Sequence, residues 1–141
     1  MSSLPVSQGH YSIASRIGAT IFTAGMTPRN NGTLLMKGKV SMQRPIQDYR
    51  ESVELAVDNA LRAAASQLHE GETISRVANM VVYVAAEEAY EAHSKIADFA
   101  SDRLFAVLGA SGIGSRTAVG VHSLPGGAPV EISLVVSAQD P

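Results

Sequence analysis

The stretch from Ser115 to Ser137, SRTAVGVHSLPGGAPVEISLVVS, constrains the fold more than any other part of the chain. Thr117, Val119 and Val121 alternate with Arg116, Ala118, Gly120 and His122, while Ile132, Leu134 and Val136 alternate with Glu131, Ser133, Val135 and Ser137. A period of two residues puts each set on its own face of a strand. Between them, Leu124 to Pro129 holds glycines that tolerate positive φ and prolines that cannot continue a central ladder, which predicts a turn. The two strands are therefore expected as antiparallel neighbours. If both apolar sets enter one core, the register pairs His122 with Glu131 and Arg116 with Ser137. Arg116 and Glu131 then share the other face about 20 Å apart, at roughly 3.3 Å per residue, too far for an ion pair. Ala118 and Gly120 leave a shallow space there. Two readings follow: a guanidinium and a carboxylate solvated on an open sheet face, or the wall of a site. A compact site using both would need one of them from a second copy of the chain.

The preceding residues alternate between two periods. Tyr11 to Ile17 and Thr20 to Ala24 read as short strands broken by Gly18, and Asn30-Asn31-Gly32 turns the chain into Thr33 to Met36, together an antiparallel edge of one sheet. From Pro45 to His69, Val53, Ala56, Val57, Ala60, Leu61, Ala64 and Leu68 recur at helical spacing, with Gly71 as a stop. Val77 to Ala85 is crowded with β-branched residues and reads as a central strand covered on both faces. Glu87 to Leu108 returns to helical spacing through Tyr90, Ile96, Phe99, Ala100, Leu104 and Val107, with Gly109 as cap. An α+β fold satisfies this order, a mixed and mostly antiparallel sheet with two helices packed on one face, because each helix needs a sheet to cover its apolar stripe.

At 141 residues the chain matches one domain, spanning 1–141, without linker or repeat. Charged residues make up 17% of it, below the quarter usual for soluble domains, which points to surface hidden in an oligomer. The formal net charge of −2 and the lack of a basic cluster beyond Lys37 and Lys39 leave no electrostatic footprint for nucleic acid. No long apolar run suggests a membrane partner. Cysteine is absent, which excludes disulfides, thiolate metal sites and a cysteine nucleophile. The first residues, Met-Ser-Ser-Leu-Pro-Val, have neither a basic start nor an apolar core, so a cytoplasmic location is expected.

Other motifs give way to plainer readings. His10, His69, His93 and His122 have no metal-ligand spacing, so no metal is expected. Gly109-Ala-Ser-Gly-Ile-Gly114 meets neither the nucleophile-elbow nor the dinucleotide-loop pattern and reads as a flexible helix-to-strand connection. His122, opposite Glu131, reads as a structural pair. Tyr11 alone is an ordinary strand aromatic.

Arg116-Thr-Ala-Val-Gly-Val, then Leu124-Pro125 and Pro129-Val-Glu131-Ile132, closely resembles the terminal signature of the RidA/YjgF/YER057c/UK114 family of small trimeric proteins. Gly9-His10-Tyr11, Gly18 and Ile21-Phe-Thr-Ala-Gly25 resemble its opening strands, and Lys95 to Asp102 resembles the second helix of a less characterised branch. The resemblance implies a chorismate mutase-like subunit and a homotrimer with ligand clefts between subunits. It further implies hydrolysis of enamine or imine intermediates to ammonia and a 2-oxo acid, without a cofactor, since an imine carbon is already electrophilic. By position, Arg116 is the carboxylate anchor, its planar fork matching two oxygens, and Glu131 the acid/base or water-positioning group. Tyr11, Gly25 and Ala118 are implied as the remaining substrate-binding positions. The best-studied deaminases of the family have cysteine where this chain has Ala118, and Ser-Gly-Gln where it has Ala24-Gly25-Met26. The pocket that recognises the rest of the substrate is therefore altered. The competing function is a non-catalytic small-carboxylate binding or regulatory protein; ribonuclease or translation inhibitor, names carried by relatives, ranks lower on charge.

Overall fold

A computed structural model describes residues 4–140; residues 1–3, where the N-terminal segment read above begins, and residue 141 lie outside the described residues. Strands β1 (Ala14–Ile17) and β2 (Thr20–Thr23) form a hairpin around Gly18, whose φ of 60° suits the missing side chain. Asn31 and Gly32 take φ of 53° and 86°, joining β3 (Arg29–Asn30) to β4 (Thr33–Leu34) through the expected Asn-Gly turn. These two strands form a separate two-stranded sheet rather than an edge of the main one, which corrects the expectation. Met26 still exchanges hydrogen bonds with Ile132, but Pro28 has no N–H with which to extend that ladder.

Helix α1 (Arg50–Ala65) buries Val53, Ala56, Val57, Ala60 and Ala64, and helix α2 (His93–Leu108) buries Ile96, Phe99, Ala100 and Leu104 at the i, i+3/i+4 spacing expected, but both helices are shorter than the periodic spans and Val107, expected on the second stripe, is exposed. Alanine dominates the buried stripe of α1 and permits a close approach to the sheet. Arg103 and Asp58 join the two helices through a pair of hydrogen bonds of 2.9 and 3.2 Å. Gly109 caps α2 with φ of 67°. The Gly109–Gly112 turn that follows is a short 3₁₀ segment in close packing: a Cβ on Gly112 would stand 2.4 Å from the Leu104 carbonyl oxygen, and one on Gly114 2.2 Å from that of Val77.

The main sheet has the order β1-β2-β7-β5-β6, with β5 (Thr73–Ala85), β6 (Ser115–Val121) and β7 (Val130–Gln139). β6 runs parallel to β5 because α2 carries the chain back to the start of β5, and β7 is antiparallel to β5 on its other side. The two C-terminal strands are therefore not neighbours, and the hairpin register that pairs His122 with Glu131 and Arg116 with Ser137 is wrong. The residues between them form a bridge over the end of β5 instead of a tight turn. The Pro129 carbonyl accepts the Ala85 N–H at 2.9 Å and the Gly127 carbonyl accepts the Gly38 N–H at 2.8 Å, so the turn formers are spent crossing the sheet. Glu131 pairs with Tyr83, and Arg116 with Met80.

One face of the sheet, carrying Ile21, Val82, Val84, Ile132, Leu134 and Val136, is sealed under the helices. β5 is covered there, but on its other face Val81 and Tyr83 stay half-buried in the single chain, short of the double cover its composition suggests. On that open face Phe22 and Val119 are 40% and 38% exposed.

Candidate functional site

Parity along the strands fixes where the two candidate charges stand. Arg116, Met80 and Leu134 lie in one cross-strand row, and Val119, Tyr83 and Glu131 lie in another. Residues 116 and 119 are an odd number apart on one strand, so the rows occupy opposite faces. Met80 and Leu134 are buried under the helices, so Arg116 belongs to the helix side and Glu131 to the open side. The expectation that they share a face fails because β6 turns Arg116, Ala118 and Gly120 toward α2, not Thr117 and Val119. Small residues there let the helix come close: a Cβ on Gly120 would stand 2.6 Å from His93 Nε2.

On the helix side Arg116 is engaged by α2. Its Nη1 donates to Ser101 Oγ at 2.8 Å and pairs with Asp98 Oδ1 at 2.8 Å. Nη2 donates to the Ser94 carbonyl at 3.0 Å and to Ser94 Oγ at 2.8 Å. Asp98 is 60% exposed, so this ion pair is solvent-screened and worth at most about 1 kcal/mol. Ala118 is half-buried between Arg116 and Gly120 and packs on the core.

On the open side Glu131 lies against the Gly25 backbone. A Cβ at Gly25 would meet Glu131 Oε2 at 2.2 Å, so a side chain there would push the carboxylate from its present position. Burial raises the Glu131 pKa above the ordinary carboxylate value, because the charged form loses hydration without gaining a cation in return. Gly25 and Tyr11 also wall a cavity of about 480 Å³. Tyr11 is 47% exposed, and its hydroxyl accepts the Gln8 N–H at 3.1 Å. Thus Glu131 meets Gly25 on the open side, Gly25 and Tyr11 share a cavity that reaches Asn59 of α1 and that Glu131 does not line, and Arg116 and Ala118 stand on the helix side.

Sequence reasoning missed two residues of that cavity, Arg29 and Asn59. Asn59 had a signal, being a polar residue on the apolar stripe of α1; it is 5% exposed. Arg29, on a two-residue strand beside a turn, had none. His93 and His122 line a second cavity of about 360 Å³ with Glu87, Glu88 and Lys39. Among the described residues no group of three or more His, Cys, Asp or Glu is placed to hold a metal ion, and no helix is long and apolar enough to cross a membrane.

A two-helix layer on a five-stranded mixed sheet, with a glycine-backed carboxylate on the uncovered face, defines a class of small α+β proteins. The family described as endoribonuclease L-PSP matches residues 1–138, and the chain belongs to it, that is, to the RidA/YjgF family. It is 26% identical over 120 residues to protein TCP17 of Trypanosoma cruzi, covering 84% of this chain and 75% of that one. Among solved structures, Atu1372 of Agrobacterium tumefaciens, a protein of unknown function, is 27% identical with a TM-score of 0.83, over 97% of this chain and 87% of its own. TdcF of E. coli, solved with bound serine, shares the fold at 19% identity and a TM-score of 0.70, over 95% and 92% of the two chains.

Proposed function

We propose that this chain hydrolyses a small carboxylate-bearing imine or enamine to ammonia and a 2-oxo acid, in clefts between the subunits of a homotrimer. The observation that carries this reading is Glu131, a half-buried carboxylate pressed on Gly25, with a raised pKa and no ion-pair partner among the described residues. A carboxylate in that state is suited to accept and return a proton. Water adds to the imine carbon while Glu131 takes one of its protons and returns it to the nitrogen. The resulting carbinolamine gives its hydroxyl proton to Glu131, which passes it to the amino group as the C–N bond breaks and ammonia departs. Arg116 anchors the substrate carboxylate in this scheme, and displacing the exposed Asp98 from it costs little.

The placement of the two charges within one chain supports the same reading. Arg116 and Glu131 stand on opposite faces of one sheet, so a cleft using both takes one from each of two copies. The open face, with Phe22 and Val119 exposed, supplies the apolar surface that a ring of copies would bury. The serine bound by TdcF is itself a small amino-acid carboxylate.

A second reading is a small-carboxylate binding or regulatory protein without catalysis, which needs the same Arg116 anchor but no proton transfer by Glu131. Imines generated enzymatically in the assay separate the two. Accelerated 2-oxo acid release, lost in Glu131→Gln and failing on the acid side at a pH above the ordinary carboxylate value of 4.5, supports the hydrolase. Carboxylate binding with release no faster than the spontaneous rate supports the binding protein. RNA cleavage abolished by Arg116→Ala but kept in a surface-charge control would overturn both.

A further inference from the structure

Among the described residues, two buried side-chain polar atoms have no hydrogen-bond partner, and both are guanidinium Nε atoms, of Arg29 and Arg62. Both arginines are bonded to the same buried side chain. Asn59 Nδ2 donates to the Arg29 carbonyl at 2.8 Å, and Asn59 Oδ1 accepts from Arg62 Nη2. Neither guanidinium forms a salt bridge with a carboxylate of the described residues. Arg29 and Asn59 face the cavity of about 480 Å³, whose other lining residues include Leu4, Val6, Ile13 and Met26 and no Asp or Glu. A buried donor without an acceptor is costly, and the half-buried Arg29 keeps such a donor beside the cavity with no carboxylate to neutralise its charge. The Arg29 fork is also held in place: Nη1 donates to the Gly32 carbonyl at 3.0 Å, and Nη2 fits over Gly126, where a Cβ would stand 2.4 Å away.

We propose that this cavity binds a small organic acid with an apolar body, its carboxylate on Arg29 and its chain against Leu4, Val6 and Met26. The volume falls in the range usual for small-molecule sites. Arg116, by comparison, already has a carboxylate and two serines on its terminal nitrogens. The cavity shares Tyr11 and Gly25 with the implied substrate-binding positions, but the assignment does not depend on hydrolysis, because it concerns binding alone.

Octanoate, octanol and inorganic phosphate are the probes, titrated calorimetrically into the wild-type chain and into Arg29→Gln, Arg29→Lys and Arg116→Ala. Wild type is expected to bind octanoate better than either octanol or phosphate. Loss of a charge-assisted bidentate contact in Arg29→Gln should weaken octanoate by roughly tenfold to a hundredfold. Arg29→Lys should restore part of that loss. Equal binding of octanol and octanoate to wild type, which needs no variant to fold, would overturn the anionic half of the proposal; equal binding of phosphate would overturn the apolar half. Octanoate binding lost in Arg116→Ala but kept in Arg29→Gln would return the anchor to Arg116, leaving the hydrolase reading intact and this one refuted.

Discussion

Gly25→Ala tests the contact on which the open-face site is built, and its effect should depend on whether Glu131 is present. The φ of Gly25 is not in the positive region, so alanine is compatible with the backbone. In the absence of a clash, Gly→Ala at such a position stabilises by about 0.4–1 kcal/mol by restricting the unfolded chain. The added Cβ, however, would stand 2.2 Å from Glu131 Oε2, 2.7 Å from Cδ and 2.9 Å from Cγ. Relieving such overlap costs about 1–3 kcal/mol in packed protein, and less where a side-chain end can swing aside. Wild type should therefore lose about 1 kcal/mol on Gly25→Ala, while a Glu131→Ala background should gain about 0.5 kcal/mol from the same change. The coupling, about 1.5 kcal/mol, sits well inside the range measured for residues in contact. Urea unfolding of the four proteins at one fixed protomer concentration measures it, since oligomer stability varies with concentration. If Gly25→Ala has the same effect in both backgrounds, within about 0.5 kcal/mol, the carboxylate does not rest on Gly25.

Three further outcomes follow from single contacts. Gly114→Ala should cost about 3 kcal/mol or more, or abolish folding, because its Cβ would meet the backbone oxygen of Val77 at 2.2 Å and neither strand end can move aside; a normal thermal midpoint in the purified variant would count against that packing. Glu72, paired with Arg16 at 2.6 Å, has its pKa lowered from 4.5 to about 2, so its stabilising contribution is complete above 4.5 and fades as pH falls toward about 2. The gap in thermal midpoint between wild type and Glu72→Gln should close over that window, and a constant gap would contradict the pairing. Asp98→Asn removes the carboxylate from Arg116 Nη1 and should tighten small-carboxylate binding there by roughly two- to fivefold, the worth of an exposed ion pair; weaker binding would mean that Asp98 helps to form the site.

The elements were legible in the sequence because each carries its own period. The helical stripes of Val53 to Ala64 and Ile96 to Leu104 and the buried alternation of Ile132, Leu134 and Val136 all appear where the pattern put them. What the pattern does not carry is which strand lies beside which. Leu124 to Pro129 has the residues of a tight turn, and nothing local distinguishes a turn from a bridge over β5 that ends on the Ala85 N–H. The inward face of β6 was misread for a related reason. An edge strand under a helix presents small residues to it, so Ala118 and Gly120 face α2 while Val119 faces out, the reverse of the hydrophobicity rule. Arg29 escaped because its significance lies in a counter-ion it does not have, which only the packed structure reveals.

The separation of Arg116 from Glu131 survives the loss of the register from which it was first argued, but on a different ground. Distance along one face is replaced by opposition across the sheet, and an intervening layer of backbone excludes both groups from one compact site within a chain more firmly than a gap of solvent would. If hydrolysis needs both, each cleft takes arginine from one copy and carboxylate from the next, through a heterologous contact of the kind that closes into a ring. Arg116→Ala and Glu131→Gln should each be inactive alone. Unfolded together in equal amounts and refolded, they should regain about a quarter of wild-type activity, since a cleft then draws an intact arginine and an intact carboxylate from random neighbours with that frequency. No activity in the mixture, with assembly confirmed by size, would mean that both groups act from one subunit. Activity retained by the unmixed Arg116→Ala chain would remove Arg116 from the site and leave the anion to Arg29.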